Sequence, residues 1–248
     1  MTRTLAALGL VGTGIAVVLV GLLHVVAAGQ VNPVRRTISE YALGDSDWMF
    51  DVGVLGLAAG SALVLLALVR AGIVPGRSVA AALLMVWTVA LVAVVAFDKA
   101  NWSVGPTPGG YVHRFASLAA FSSLPLAALA LGRRWRADPR WGAFAAWSQW
   151  SGALTLGWLA VILLAVALRP FTGVPWWQLV PLGLVERGLA ITGTLGVLVE
   201  AAQNEWLQID AALSKLKHTD FRATPGLYER ARQLAFTKPP VLPRRKQE

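Results

Sequence analysis

The sequence predicts an all-α polytopic membrane protein, with six transmembrane helices bundled over residues 1–202 and a basic cytoplasmic tail with an amphipathic helix over 203–248. Three observations predict it. Of the 248 residues 56% are apolar and only 14% charged, with mean hydropathy +0.60, whereas a soluble domain carries about 25% charged residues. Long apolar runs recur, each near the roughly 20 residues that a helix needs to cross a hydrocarbon core of about 30 Å. These runs do not alternate as barrel strands do, and a helix satisfies its backbone polar groups within one segment. The chain has no cysteine, which excludes disulfides, thiolate metal sites and a cysteine nucleophile.

The spans fall at 5–29, 48–72, 78–97, 111–132, 143–168 and 180–202. The first exceeds the roughly 7–15 apolar residues of a secretory signal core, so it reads as a retained span. The connection over 30–47 is the longest, and Ile38, Tyr41 and Leu43 give it side chains to pack with. The second span carries Gly53, Gly56, Gly60 and Ser61; Gly56 and Gly60 form a GxxxG expected to pack helices within the bundle. The short turn at Pro75-Gly76 makes spans two and three antiparallel neighbours. Residues 102–110 form a Gly- and Pro-rich connection. The last connection holds Pro170, Pro175, Trp176 and Trp177, tryptophans suited to an interfacial aromatic belt. Beyond Ala202, Trp206, Ile209, Leu213 and Leu216 recur at helical spacing among charges, which predicts an amphipathic helix broken at Pro225-Gly226.

Basic residues set the orientation. Arg133, Arg134, Arg136 and Arg140 crowd one loop, on the same side as Arg3, Arg70, Arg77 and the tail cations. The positive-inside rule places both termini in the cytoplasm and the chain in the inner (plasma) membrane. The whole net charge of +9 falls on that side. It reads as topogenic charge that attracts anionic lipid headgroups, with no nucleic-acid partner.

The remaining ionisable residues collect at the other end. His24 lies near the end of span one, Asp51 near the start of span two, Asp98 at the end of span three, and His113 and Arg114 at the start of span four. Glu186 and Arg187 lie about two turns into span six. Charges within hydrocarbon are costly and should face the bundle interior and pair, for example Arg187 with Asp51 or Asp98. The expectation is a polar cavity opening outward, roofed by the loop that carries Arg35, Arg36, Ser39 and Glu40.

Three stretches resemble a known family. Asn32-Pro33-Val34-Arg35-Arg36-Thr37-Ile38-Ser39-Glu40-Tyr41-Ala42-Leu43-Gly44 follows a span ending in a histidine. Asp98 precedes Gly109-Gly110-Tyr111-Val112-His113, and Gly183-Leu184-Val185-Glu186-Arg187 lies in the last span. Their order is similar to that of the DUF998 family, a bacterial and notably actinobacterial group without an established role, distantly similar to the Frag1/DRAM/Sfk1 membrane proteins of lipid handling. The resemblance covers most of residues 1–205 and marks Ser39, Glu40, Asp98, His113 and Arg187. Phe97-Asp98 lacks the proline that usually separates aromatic and acid in that family's pattern.

The expected function is binding of a lipid headgroup or small amphiphile in the outer cavity, with guanidinium contacts from Arg35, Arg36, Arg114 or Arg187. Two alternatives stand beside it. One is an intramembrane hydrolase or transferase with His113 as base, Asp98 orienting it and Ser39 or water attacking; no GxSxG or HExxH supports it. The other is an accessory subunit that grips a membrane-protein partner through the Trp206–Leu216 helix and basic tail. No metal or cofactor is expected: His24 and His113 read as hydrogen-bonded structure rather than haem ligands.

Overall fold

The computed structural model describes residues 2–101, 104–138 and 141–198, and among these every regular element is helical. Five helices are long and apolar enough to cross a membrane: α1 (Thr2–Val26), α2 (Asp47–Arg70), α3 (Val79–Ala96), α4 (Pro108–Trp135) and α5 (Gly142–Thr172). A single turn, α6 (Trp176–Leu179), precedes a further helix over 182–198, here α7. The end of the expected span at 180–202, the boundary at 202/203, the Trp206–Leu216 helix and the basic tail lie outside the described residues.

Local chemistry moves several boundaries from their expected places. The α4 helix opens at 108 rather than 111, because the Thr107 hydroxyl accepts from the Gly110 N–H at 3.0 Å and Pro108 takes the first position, where a missing N–H is harmless. The α5 helix passes 168 and contains Pro170, then closes at Gly173, whose φ of 66° is the left-handed value glycine adopts freely. The α1 helix stops at Val26 rather than 29, and the chain turns through Gly29 at φ 85°. His24 therefore sits in the last turn of α1. The α7 helix starts at 182, so Glu186 and Arg187 lie little more than one turn inside it, about 6–8 Å from its start.

Each of α1 to α5 packs against its neighbour in sequence, an up-and-down order set by the short connections. Lipid tails are as apolar as leucine, so close backbone approach has to supply the contact between helices. A Cβ at Gly60 would stand 2.7 Å from the Gly9 carbonyl, and one at Gly12 2.7 Å from that of Gly56. The GxxxG of α2 is thus used within the chain, against α1. Gly152 of α5 meets the Pro125 carbonyl of α4 in the same way, at 2.8 Å. Side-chain hydrogen bonds add links: Trp87 Nε1 donates to Ser61 Oγ at 3.0 Å between α3 and α2. Thr155 and Thr192 hydroxyls lie 2.8 Å apart between α5 and α7. Gly188 of α7 packs beneath the Trp158 ring, where a Cβ would stand 2.5 Å from it, and Gly193 packs on Leu124 of α4.

The α1–α2 contact, backbone against backbone, is open to test. Gly60→Leu should destabilise the protein by about 1–3 kcal/mol through overpacking against a backbone atom. Gly14→Ala, on the same helix pair but with nothing within 4 Å of its Cβ, should be neutral or stabilise by up to about 1 kcal/mol. Unfolding in mild detergent, followed by circular dichroism, reads both.

Candidate functional site

The connection from α1 to α2 forms a lid. Asn32 Oδ1 accepts from the N–H groups of Val34 and Arg35 at 3.0 and 3.1 Å, which fixes the first bend. A 3-10 helix, Ile38–Leu43, follows. It buries Tyr41 against Leu23, Phe50 and Val94 and packs Ile38 on the same cluster. Leu43, expected to pack, points outward instead.

Backbone groups seat the lid on the start of α7. Leu184 N–H donates to the Val34 carbonyl at 3.1 Å, and Ile38 N–H to Glu186 Oε2 at 2.6 Å. Gly183 lies so close beneath the lid that a Cβ would stand 2.3 Å from the Arg36 carbonyl and 2.5 Å from that of Pro33. Only a residue without a side chain fits there. The other edge of the lid is tied by Lys99, which follows α3: its buried Nζ donates to Glu40 and to the Thr37 hydroxyl. Arg36 adds an exposed pair to Glu40 at 3.4 Å, a contribution of about 1 kcal/mol at most.

Arg187 joins three parts of the fold. Its Nε donates to His24 Nε2 at 2.7 Å, and NH1 donates to the carbonyls of Arg36 and Gly183, each at 2.9 Å. NH2 reaches only the Tyr41 hydroxyl, at 3.5 Å, and Tyr41 and His24 stack edge to face with ring centroids 5.3 Å apart. A guanidinium has no acceptor, so His24 Nε2 must present its lone pair. The ring proton is therefore on Nδ1, which donates to the Val20 carbonyl at 2.7 Å, and His24 is neutral.

The expected pairing of Arg187 with Asp51 or Asp98 does not occur. Its hydrogen-bond partners are all neutral, and the nearest carboxylate, Glu186, is in electrostatic range but turned to the lid. Asp98 lies exposed past the end of α3, and Asp51 in the first turns of α2 faces Asp47 and Asp98 instead.

His113 is buried and caps α3. Its Nδ1 donates to the carbonyls of Val94 and Phe97, both at 3.0 Å, which leaves Nε2 buried without a partner. Asp98 makes no hydrogen bond to it, and the Ser39 hydroxyl is engaged with Thr37 at 3.1 Å. The expected Ser39–His113–Asp98 relay is therefore not assembled. Arg114 is exposed, with its guanidinium 5.8 Å over the Tyr111 ring, and Arg35 is exposed in the lid.

Beneath the lid lies a cavity of about 500 Å³, within the usual range for small-molecule sites. His24, Ser39, Glu186 and Arg187 line one end. The rest is almost wholly apolar, with Trp87, Leu91, Phe121 and Leu124 behind and Leu195 and Leu198 farthest from the lid. From Arg187 to Leu198 the wall runs about 16 Å along α7. The polar cavity expected from the sequence is thus an apolar shaft with a polar mouth. Among the described residues no group of three or more His, Asp or Glu side chains could hold a metal ion. Sequence reasoning did not identify the residues of the shaft because apolar residues in apolar helices do not announce which face they line. The glycines of α1 and α7 are the one signal that could have pointed to space between them.

Two substitutions test the lid. Gly183→Ala should push the lid off α7, so that the Leu184 and Ile38 amides exchange with deuterium roughly tenfold faster, the factor for about 1.4 kcal/mol. Lys99→Met leaves the Glu40 carboxylate, 16% exposed, without its buried cation and should cost about 3–5 kcal/mol in thermal unfolding. Adding Glu40→Gln should recover most of that loss.

Neither the curated proteins nor the solved structures contain a match to this sequence. The family model described as "Protein of unknown function (DUF998)" matches residues 10–203, a stretch that contains the lid, the capping His113, Glu186, Arg187 and the cavity wall. The chain belongs to the DUF998 family.

Proposed function

We propose that this protein binds an amphiphile with a single anionic head, held at Arg187, and an apolar chain laid along the shaft. The observation that carries the reading is the division of the cavity: four polar side chains at one end, and elsewhere an apolar wall whose only hydroxyls, on Ser117, Thr155 and Thr194, are bonded to carbonyls of their own helices. The disposition of charge at the mouth favours an anion. Of the two charged side chains that line it, Glu186 is engaged by the Ile38 amide, which leaves the Arg187 guanidinium to meet a ligand head. The NH2 edge of Arg187 has only the long contact to Tyr41, and a phosphate or carboxylate oxygen would complete it.

The same reading includes the topology. Residues 180–202 supply a sixth crossing, which places both termini on one side, and the basic loop at 133–136 and the tail make that side cytoplasmic, in the plasma membrane. The lid then faces outward. The arginines and the tail, with its Trp206–Leu216 helix, attract anionic headgroups of the inner leaflet.

Native mass spectrometry of the protein purified in mild detergent tests the binding. The wild type should retain an anionic lipid or fatty acid, and Arg187→Gln should weaken retention by about tenfold or more, the value of a lost charge-assisted hydrogen bond. Arg187→Lys should restore part of it, since charge returns without the fork geometry. Equal lipid in wild type and Arg187→Gln, with both folded by circular dichroism, would refute the assignment of Arg187 as the head site.

A further inference from the structure

The cavity is closed above by the lid but not on every side. Val17 of α1 and Ile191 and Leu195 of α7 line it, yet they are 55%, 62% and 51% exposed. Gly21 of α1 lines it too, and a Cβ there would meet no atom within 4 Å. The two helices therefore stand apart along this stretch, and the hydrogen bond that joins them, Arg187 to His24, is at the lid end. The slot begins below that bond and runs down the helices for about 10 Å, from His24 to Val17. At that depth, and with apolar rims, it faces the hydrocarbon of a bilayer rather than water.

Resting on the amphiphile reading above, we infer that the slot between α1 and α7 is a lateral portal. Through it the hydrocarbon chain of an anionic bilayer lipid enters from the lid-side leaflet, with the head stopping at Arg187. Two further features fit a bilayer source. The lid is held over the aqueous side by the Val34–Leu184, Ile38–Glu186 and Arg36–Arg187 hydrogen bonds, so water offers the longer route. A cavity of about 500 Å³ lies in the lower half of the range for small-molecule sites, a size for one chain rather than two. A two-chain lipid can use such a cavity only if its second chain stays in the membrane, which requires an open side.

The absence of cysteine from the chain makes a plug straightforward. The full chain carrying Gly21→Cys is placed in phosphatidylcholine vesicles that contain a minor fraction of phosphatidic acid with a photoactivatable diazirine in one acyl chain. Adducts are mapped by peptide mass spectrometry before modification, after reaction with a bulky methanethiosulfonate reagent, and after reduction. The portal predicts adducts on interior residues such as Trp87 and Leu124 before modification, their loss in the plugged protein and their return on reduction. Interior adducts that persist through the plug, but vanish in Arg187→Gln, would overturn the portal and leave the amphiphile reading standing. No interior adducts in the unmodified wild type would overturn both. The same series at Val17→Cys keeps the test decisive should Gly21→Cys impair folding.

Discussion

A guanidinium placed inside the end of a membrane bundle has to be solvated by protein, and much of this fold's lid end follows from how Arg187 is solvated. Its Nε is satisfied by α1 through His24, and its NH1 by the lid through Arg36 and by its own helix through Gly183. Each partner accepts, none is an anion, and each belongs to a different segment. The cation therefore acts as a clasp: α7 cannot leave without exposing it, and the lid cannot lift without removing an acceptor. Neutral acceptors also leave the formal charge in place. A carboxylate such as Asp98 at the same point would have neutralised it and ended its reach for a ligand.

The lid is built to match. Glu186 is spent on the Ile38 amide rather than on its neighbour Arg187, and Glu40 is spent on Lys99. Both acids that could quench the mouth are thus engaged in holding the lid down. Gly183 lets two lid carbonyls come within reach of α7, so that the helix start serves as a seat. These contacts are long-range in sequence, between residues in the thirties and the one-eighties, and they fix α7 relative to α1 above the stretch where both helices line the cavity.

The fold was largely legible in the sequence because hydropathy reports on it directly. The five long helices fall where apolar runs predicted them, and errors at Pro108, Thr172 and Val26 reflect capping and turn chemistry that hydropathy does not see. The site was legible only in part. The depth of His24, Glu186 and Arg187 was readable, since charged residues stand out in apolar runs. Their partners were not, because rotation about each helix axis decides whether Asp98 or His24 meets Arg187, and α3 and α4 carry too little amphipathic pattern to fix that rotation. The same ambiguity hid that His113 uses its Nδ1 to cap α3. The shaft was invisible for a related reason: Trp87, Phe121 and Leu198 are indistinguishable, as letters, from residues that face lipid.

On the proposed reading, binding need not compete with the clasp. The donors that hold α1, the lid and α7 are Nε and NH1, while the edge left for a ligand is NH2, whose contact to Tyr41 at 3.5 Å is the weakest of the set. An anion arriving there adds a bond without breaking one of the shorter ones, so the lid can stay seated while the head docks. Tyr41 would be the group displaced, and its buried ring, edge-on to His24, could remain in place as its hydroxyl gives up that contact. A site organised in this way takes its ligand from the side rather than from above. The bonds that would have to break for entry from above are those that keep Arg187 solvated.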